Sequence, residues 1–100
     1  MKLGILVNTD RRLDHILGLA TAARAKNHEV VIFAMDRGAR LMENDRFGEL
    51  AGRDGISVSV CDHSARENGA TLGDNAEAIV MGSQLNNAMM AQEVDRLIVL

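Results

Sequence analysis

Short continuous apolar segments alternate along the chain with segments whose apolar residues recur at helical spacing. The apolar segments predict five β-strands, at 2–8 (KLGILVN), 29–35 (EVVIFAM), 56–60 (ISVSV), 78–81 (AIVM) and 96–100 (RLIVL). Each connection between consecutive strands contains a predicted helix, as parallel strands require. Such crossovers are right-handed and place helices against the sheet. The sequence therefore predicts an α/β fold, a three-layer α/β/α sandwich around a five-stranded, mainly parallel sheet.

The first half of the sequence contains candidate helix ends. Asp10 is predicted to cap the first helix, and Asn27 to end it in the left-handed conformation. The connection 36–54 contains three glycines, which weaken a long helix. We therefore predict a short helix at 37–42, followed by a second helix that begins at an Asp45 cap.

The last two connections are predicted to contain one helix each. Residues 63–68 form a short helix that ends at Asn68-Gly69. Ser83 is predicted to cap a helix at 84–93. The apolar residues on one face of this helix are Leu85, Ala88 and Met89. The adjacent pair Met89-Met90 is interpreted as core or subunit contact.

The composition is that of one globular domain, which we assign to 1–100. Apolar residues make up 47% and charged residues 25%, a balance that argues against disorder. The net charge of −3 and only two aromatic residues, Phe33 and Phe47, argue against a nucleic-acid partner. No apolar segment is long enough for a membrane span, and the one at the N-terminus is too short for a secretory signal. We therefore expect a cytoplasmic protein without a membrane partner.

Candidate functional residues lie where the predicted strands end, because ligands bind parallel sheets outside the carboxyl ends of the strands. The residues at these ends are Asn8, Thr9, Asp10, Met35, Asp36, Cys61, Asp62, His63, Ser64, Gly82 and Ser83. Cys61 is the only cysteine, which excludes an internal disulfide and a paired-cysteine zinc site. The sequence also lacks a phosphate-binding loop, a dinucleotide fingerprint and a third metal ligand at recognisable spacing. We expect no metal and no cofactor.

Cys61 has two interpretations. Unpaired backbone amides at the start of the following helix favour a reactive thiolate. His63 would lower the pKa of the thiol further when protonated, whereas the carboxylate of Asp62 would raise it. Alternatively, Cys61 is a packed apolar residue, His63 is exposed and Ser64 is only a helix cap. A third hypothesis is a small-ligand pocket formed by Asn8, Asp10, Asp36 and Gly82.

Three segments resemble the DsrE/DsrF-like proteins, which include the TusD type of sulfur-relay protein. They are KLGILVNT, VSVCDHSAREN-G and VMGSQLNNAMMAQEVDRLIVL, and the resemblance extends over essentially the whole chain. It implies a flavodoxin-like fold that assembles into homotrimers or homohexamers. In the sulfur-transferring members, a cysteine at the position of Cys61 carries sulfane sulfur as a persulfide between donor and acceptor proteins.

The sequence departs from that resemblance directly after the cysteine. The carrier subunits tend to have small apolar residues there, whereas this chain has Asp62-His63. Some members of the family lack the working cysteine and serve as assembly partners. The sequence therefore leaves two functions open: a persulfide carrier that uses Cys61, and a non-catalytic binding or assembly subunit in which Cys61 is structural.

Overall fold

The computed structural model describes residues 1–100 as a five-stranded parallel sheet in the order β4-β3-β2-β1-β5. The strands are β1 (Lys2–Val7), β2 (Glu29–Ala34), β3 (Ile56–Cys61), β4 (Val80–Gly82) and β5 (Arg96–Val99). The helices are α1 (Leu13–Ala25), a 3-10 helix (Asp36–Glu43), α2 (Asp45–Ala51), α3 (Asp62–Glu67) and α4 (Gln84–Glu93). This architecture confirms the predicted α/β fold.

The strand order explains how the helices divide between the two faces of the sheet. From β1 to β4 each new strand is added on the same side of its predecessor, whereas β5 returns to the far side of β1. Right-handed crossovers therefore place every connection up to β4 on one face and only α4 on the other. We call these the first face and the second face.

The first face carries the main core. Its strand residues include Ile5, Ile32 and Val60, which are fully buried in a cluster of 21 residues. The cluster also contains Ile16 of α1 and Phe47 of α2. Adjacent strand residues point the opposite way, so the same strands present Leu6, Phe33 and Cys61 to the second face.

The second face is covered thinly. The helix α4 contacts β1 and β2 there, and its Met90 forms a buried cluster with Phe33 and Cys61. Gly4 allows this approach, because a Cβ at that position would lie 3.0 Å from Val94. Five of the seven large apolar residues that are exposed lie on α4 or on strand positions of this face: Val80, Leu85, Met89, Leu97 and Val99. The second face thus leaves much apolar surface uncovered.

Several predicted helix ends are confirmed, whereas the helix caps predicted at Asp10 and Asp45 are wrong. Asn27 has a left-handed φ of 64°, and Ser83 caps α4 through a hydrogen bond from the backbone N–H of Leu85. Asp10 does not cap α1, which begins only at Leu13 and has no side-chain cap. Asp45 is the first residue of α2 rather than its cap.

The cap of α2 is instead Asn44, whose side chain accepts a hydrogen bond from the backbone N–H of Arg46. The remaining boundaries move by one or two residues, and the short helix predicted at 37–42 is a 3-10 helix over Asp36–Glu43. No helix combines the length and the apolar character that crossing a bilayer would require.

Candidate functional site

An open cleft of about 700 Å³ lies at the carboxyl ends of β2, β3 and β4. Its lining comes from the three segments that follow these strands: Met35-Asp36, Cys61–Ser64 and Gly82–Gln84, together with two residues from the end of α3. Cys61 and Gly82 are paired neighbours on β3 and β4.

Cys61 ends β3 and occupies the N-cap position of α3. The interpretation of Ser64 as the helix cap is therefore wrong: Ser64 lies inside α3, and its hydroxyl accepts from the backbone N–H of Asp36. Only 3% of the surface of Cys61 is exposed, because it packs against Phe33 and Met90. The thiol therefore lies at the base of the cleft rather than on its rim.

Several hydrogen-bond donors surround the sulfur. Burial raises the pKa of the Cys61 thiol, but hydrogen bonding by the hydroxyl and the backbone N–H of Ser64 lowers it. The side chain of Gln84 and the backbone of His63 lower it further, so that the pKa of Cys61 lies below its ordinary value. These contacts are looser than a standard side-chain cap hydrogen bond, which Cys61 does not make. The site favours the thiolate, the form that reacts as a nucleophile.

Ser64 is connected to the end of β2 by a small hydrogen-bond network. The backbone N–H of Asp36 donates to Oγ of Ser64 at 2.9 Å. The side-chain amide of Asn68 donates to the carbonyl oxygens of Asp36 (3.0 Å) and Ser64 (2.8 Å). The network joins the start of the 3-10 helix to α3 directly beside Cys61.

The two residues that follow Cys61, Asp62 and His63, are each paired on the surface of α3. The carboxylate of Asp62 forms an ion pair with the guanidinium of Arg66, one helical turn later. The imidazole of His63 is largely exposed and contacts the carboxylate of Glu67. Arg66 therefore offsets the charge of Asp62, and His63 acts on the sulfur through its backbone rather than through its imidazole.

The cleft collects most of the predicted site residues, but not all of them. Asp36, Asp62, His63, Ser64 and Gly82 line it together with Cys61. Asn8 and Asp10 do not line it. They lie beyond the end of β1, where the backbone N–H of Asn8 donates to the carbonyl of Leu100. The four residues of the small-ligand hypothesis are thus not brought together in this cleft.

Sequence reasoning missed three residues that line the cleft, Gln84, Asn68 and Glu67. Gln84 directly follows the predicted cap Ser83, so extending the strand-end segment by one residue would have included it. The sequence pattern predicts only that Asn68 ends a helix. No local pattern indicates the hydrogen bond that its side chain donates to Asp36, 32 residues away. No group of three or more His, Cys, Asp or Glu side chains is placed to hold a metal ion.

The profile of the DsrE/DsrF-like family matches residues 1–100, which is the whole chain. The chain belongs to the DsrE/DsrF-like family. Among solved structures, this DsrE/DsrF-like protein is similar to the YchN protein from E. coli, with 15% identity and a TM-score of 0.80. The match covers 100% of both chains and supports the fold. A search of curated proteins finds no match.

Proposed function

We propose that this DsrE/DsrF-like protein is a small sulfur carrier that accepts sulfane sulfur on Cys61 as a persulfide and passes it to a partner thiol. The observation that carries the proposal is the position of the only thiol at the base of an open cleft, where hydrogen-bond donors lower its pKa. Membership of the family suggests a role in sulfur relay. We place the reaction in the cytoplasm, between a donor and an acceptor protein.

The proposed transfer consists of two exchange steps at sulfur. The Cys61 thiolate attacks the outer sulfur of a donor persulfide, a new S–S bond forms, and the S–S bond of the donor breaks to release the donor thiolate. An acceptor thiolate then attacks the outer sulfur of the Cys61 persulfide. The S–S bond to Cys61 breaks, and Cys61 leaves as a thiolate. Each step transfers one sulfur atom without a net change of oxidation state, so no further oxidant or reductant is required.

The donors around Cys61 serve both steps. In the first they raise the fraction of the attacking thiolate, and in the second they stabilise the same thiolate as a leaving group. A single cysteine is sufficient for this relay, because both exchange partners supply their own sulfur atoms. The rate of the first step therefore depends in part on the fraction of Cys61 that is present as thiolate.

The uncovered second face supports assembly into homotrimers or homohexamers as part of this proposal. Leu85 and Met89 are 67% and 50% exposed on α4, beside exposed Val80 of the edge strand β4. Contiguous exposed apolar surface on a small protein marks an interaction site. A second copy of the chain would cover it and leave the cleft, at the carboxyl edge of the sheet, open to a sulfur donor.

Intact mass spectrometry after treatment with a persulfide donor tests the carrier function. The wild-type protein should gain the mass of one sulfur atom and lose it when a thiol acceptor is added. Cys61→Ser should gain none, whereas Ser59→Ala, a matched control on the same strand and face, should gain sulfur as the wild type does. Sulfur uptake by Cys61→Ser equal to that of the wild type would reject Cys61 as the carrier.

A second candidate function follows from the burial of the same residue. Cys61 is 3% exposed in a cluster with Phe33 and Met90, as expected of a structural residue in a non-catalytic assembly subunit. Titration with a thiol reagent separates the two functions. Labelling of the native protein at neutral pH supports the carrier, and labelling only after denaturation supports the assembly subunit.

A further inference from the structure

The hydroxyl of Ser64 has one hydrogen, and the hydrogen bonds around it leave that hydrogen available to donate. Ser64 is 7% exposed, so water does not compete freely for its side chain. The backbone N–H of Asp36 donates to Oγ and occupies a lone pair. The hydroxyl hydrogen is therefore free to donate to another acceptor. The sulfur of Cys61 lies in the same cleft, at the N-cap of the helix of which Ser64 is the third residue.

Asp36, whose N–H donates to Ser64, has an unusual backbone conformation. Its φ is 51°, in the left-handed region that residues other than glycine rarely adopt. Such a conformation costs free energy and persists only where the surrounding structure holds it. The side chain of Asn68 supplies that support, because its two amide hydrogens are donated to the carbonyl oxygens of Asp36 and Ser64.

Asn68 is itself held in place through its backbone. The guanidinium of Arg40 donates to the carbonyl oxygen of Asn68 at 2.8 Å. This bond does not use the Asn68 side chain and would survive replacement of that side chain by a smaller one. The connection between the 3-10 helix and α3 would therefore remain in an Asn68→Ala variant, while the two amide bonds would be lost.

We propose that Asn68 is a positioning residue for Cys61: its amide holds Asp36 against α3, and Asp36 in turn directs the Ser64 hydroxyl at the sulfur. The role of this network in sulfur transfer rests on the proposed function, whereas its effect on the thiolate can be measured separately. Asn68 does not touch the sulfur and acts through Ser64.

The charged groups near the sulfur do not include Asn68. The 3-10 helix contributes Asp36, and α3 contributes Asp62, His63 and Glu67. The residues from β4 and the start of α4, Gly82 to Gln84, are uncharged. Asn68→Ala changes none of these charges, so a change in the ionisation of Cys61 would report the hydrogen-bond network.

The rate of alkylation by iodoacetamide, a neutral reagent, measured against pH tests the proposal. The midpoint of the rate–pH profile should rise by about one pH unit in Ser64→Ala and by about half a unit in Asn68→Ala. Asn75→Ala is the matched control, because its amide also donates to a backbone carbonyl, that of Asp45, but outside the cleft. Its midpoint should equal that of the wild type, and Ser64→Thr, which keeps the hydroxyl, should retain most of the wild-type value.

A double variant distinguishes action through Ser64 from a general loosening of the site. If Asn68 acts through Ser64, Ser64→Ala/Asn68→Ala should have the midpoint of Ser64→Ala alone. A midpoint of Asn68→Ala equal to that of the wild type, or fully additive shifts in the double variant, would overturn the proposal. If Asn68→Ala does not fold, Asn68→Asp replaces it, since it keeps the shape and loses both donated hydrogens. If Asn68→Asp raises the alkylation midpoint by the same amount with and without Ser64→Ala, the shift reflects the charge of the new carboxylate alone. That result would also overturn the proposal.

The two proposals fail in different measurements. A wild-type protein that gains no sulfur, but whose variants show the expected shifts, would refute the relay and leave the positioning role of Asn68. Normal sulfur loading with identical alkylation profiles would refute the role of Asn68 and leave the relay.

Discussion

The two faces of the sheet are built from the same strands but are covered very differently. The first face is packed by α1, the 3-10 helix, α2 and α3 into a cluster of 21 buried residues. The second face has α4 alone and a cluster of three, Phe33, Cys61 and Met90. Because strand residues alternate, Val60 lies in the large core while its neighbour Cys61 lies in the small one. The main core thus lies on the first face, whereas Cys61 packs in the small cluster of the second face.

The largest effect, a change of oligomeric state, is expected when charged residues are introduced on the second face. If a second copy covers α4, the wild-type protein sediments as an oligomer, and Leu85→Glu/Met89→Glu sediments as a monomer. Leu72→Glu is the matched control, since Leu72 is equally exposed (51%) but lies outside α4. A wild-type monomer at concentrations on the order of tens of micromolar would show instead that the second face stays uncovered.

The two phenylalanines compare the two cores directly. Both are fully buried, Phe47 in the large cluster and Phe33 in the small one. Phe47→Ala should lower the free energy of unfolding by about 4 kcal/mol, and Phe33→Ala by about 3 kcal/mol, because α4 can settle into the space that Phe33 leaves. Urea unfolding gives both values, and thiol labelling should be faster in Phe33→Ala alone. Equal losses of stability with unchanged labelling would show that the small core is as rigid as the large one.

Substitution of two glycines by alanine allows a similar comparison, of the stability lost when a methyl group is added at each position. A Cβ on Gly38 would lie 2.5 Å from the carbonyl oxygen of Val7, which belongs to a central strand and cannot move aside. A Cβ on Gly82 would lie too close to the side-chain oxygen of Asn86, which can rotate away at the loss of its hydrogen bond from the backbone N–H of Ser83. Gly38→Ala should cost about 3 kcal/mol and Gly82→Ala about 1 kcal/mol. Thermal unfolding measures both, and a larger loss for Gly82→Ala would contradict the ranking.

The smallest effect concerns the pH dependence of stability. The pKa of Cys61 is lowered in the folded protein by its hydrogen bonds despite burial, so the folded state favours the thiolate. That contribution is fully present above the pKa of the unfolded chain and is lost as the pH falls through the lower folded pKa. The free energy of unfolding of the wild type, relative to Cys61→Ser, should therefore increase as the pH rises from the lowered folded pKa to the pKa of the unfolded thiol. A difference that stays constant or decreases with pH would mean that the thiol is not stabilised as an anion.

Local sequence patterns predicted a helix end correctly only where a single residue is sufficient to mark it. Asn27 and Ser83 are confirmed, because a left-handed residue after a helix and a serine before one are recognisable without the rest of the chain. Asp45 failed because Asn44, one residue earlier, has an equally suitable side chain, and its extended backbone separates the 3-10 helix from α2. Asp10 failed because α1 begins only at Leu13 and Arg12 takes its N-cap position.

The sequence by itself determined the five strands, the helices between them and the position of Cys61 at the end of β3. These features follow from apolar spacing and capping within a few residues, which are local properties of the chain. The tertiary structure alone decided that Asp36, Ser64 and Asn68 meet beside the sulfur, and that Asn8 and Asp10 do not. Such contacts join residues about thirty positions apart. They depend on the register of neighbouring strands and on the crossing of the chain to β5, neither of which a local pattern contains.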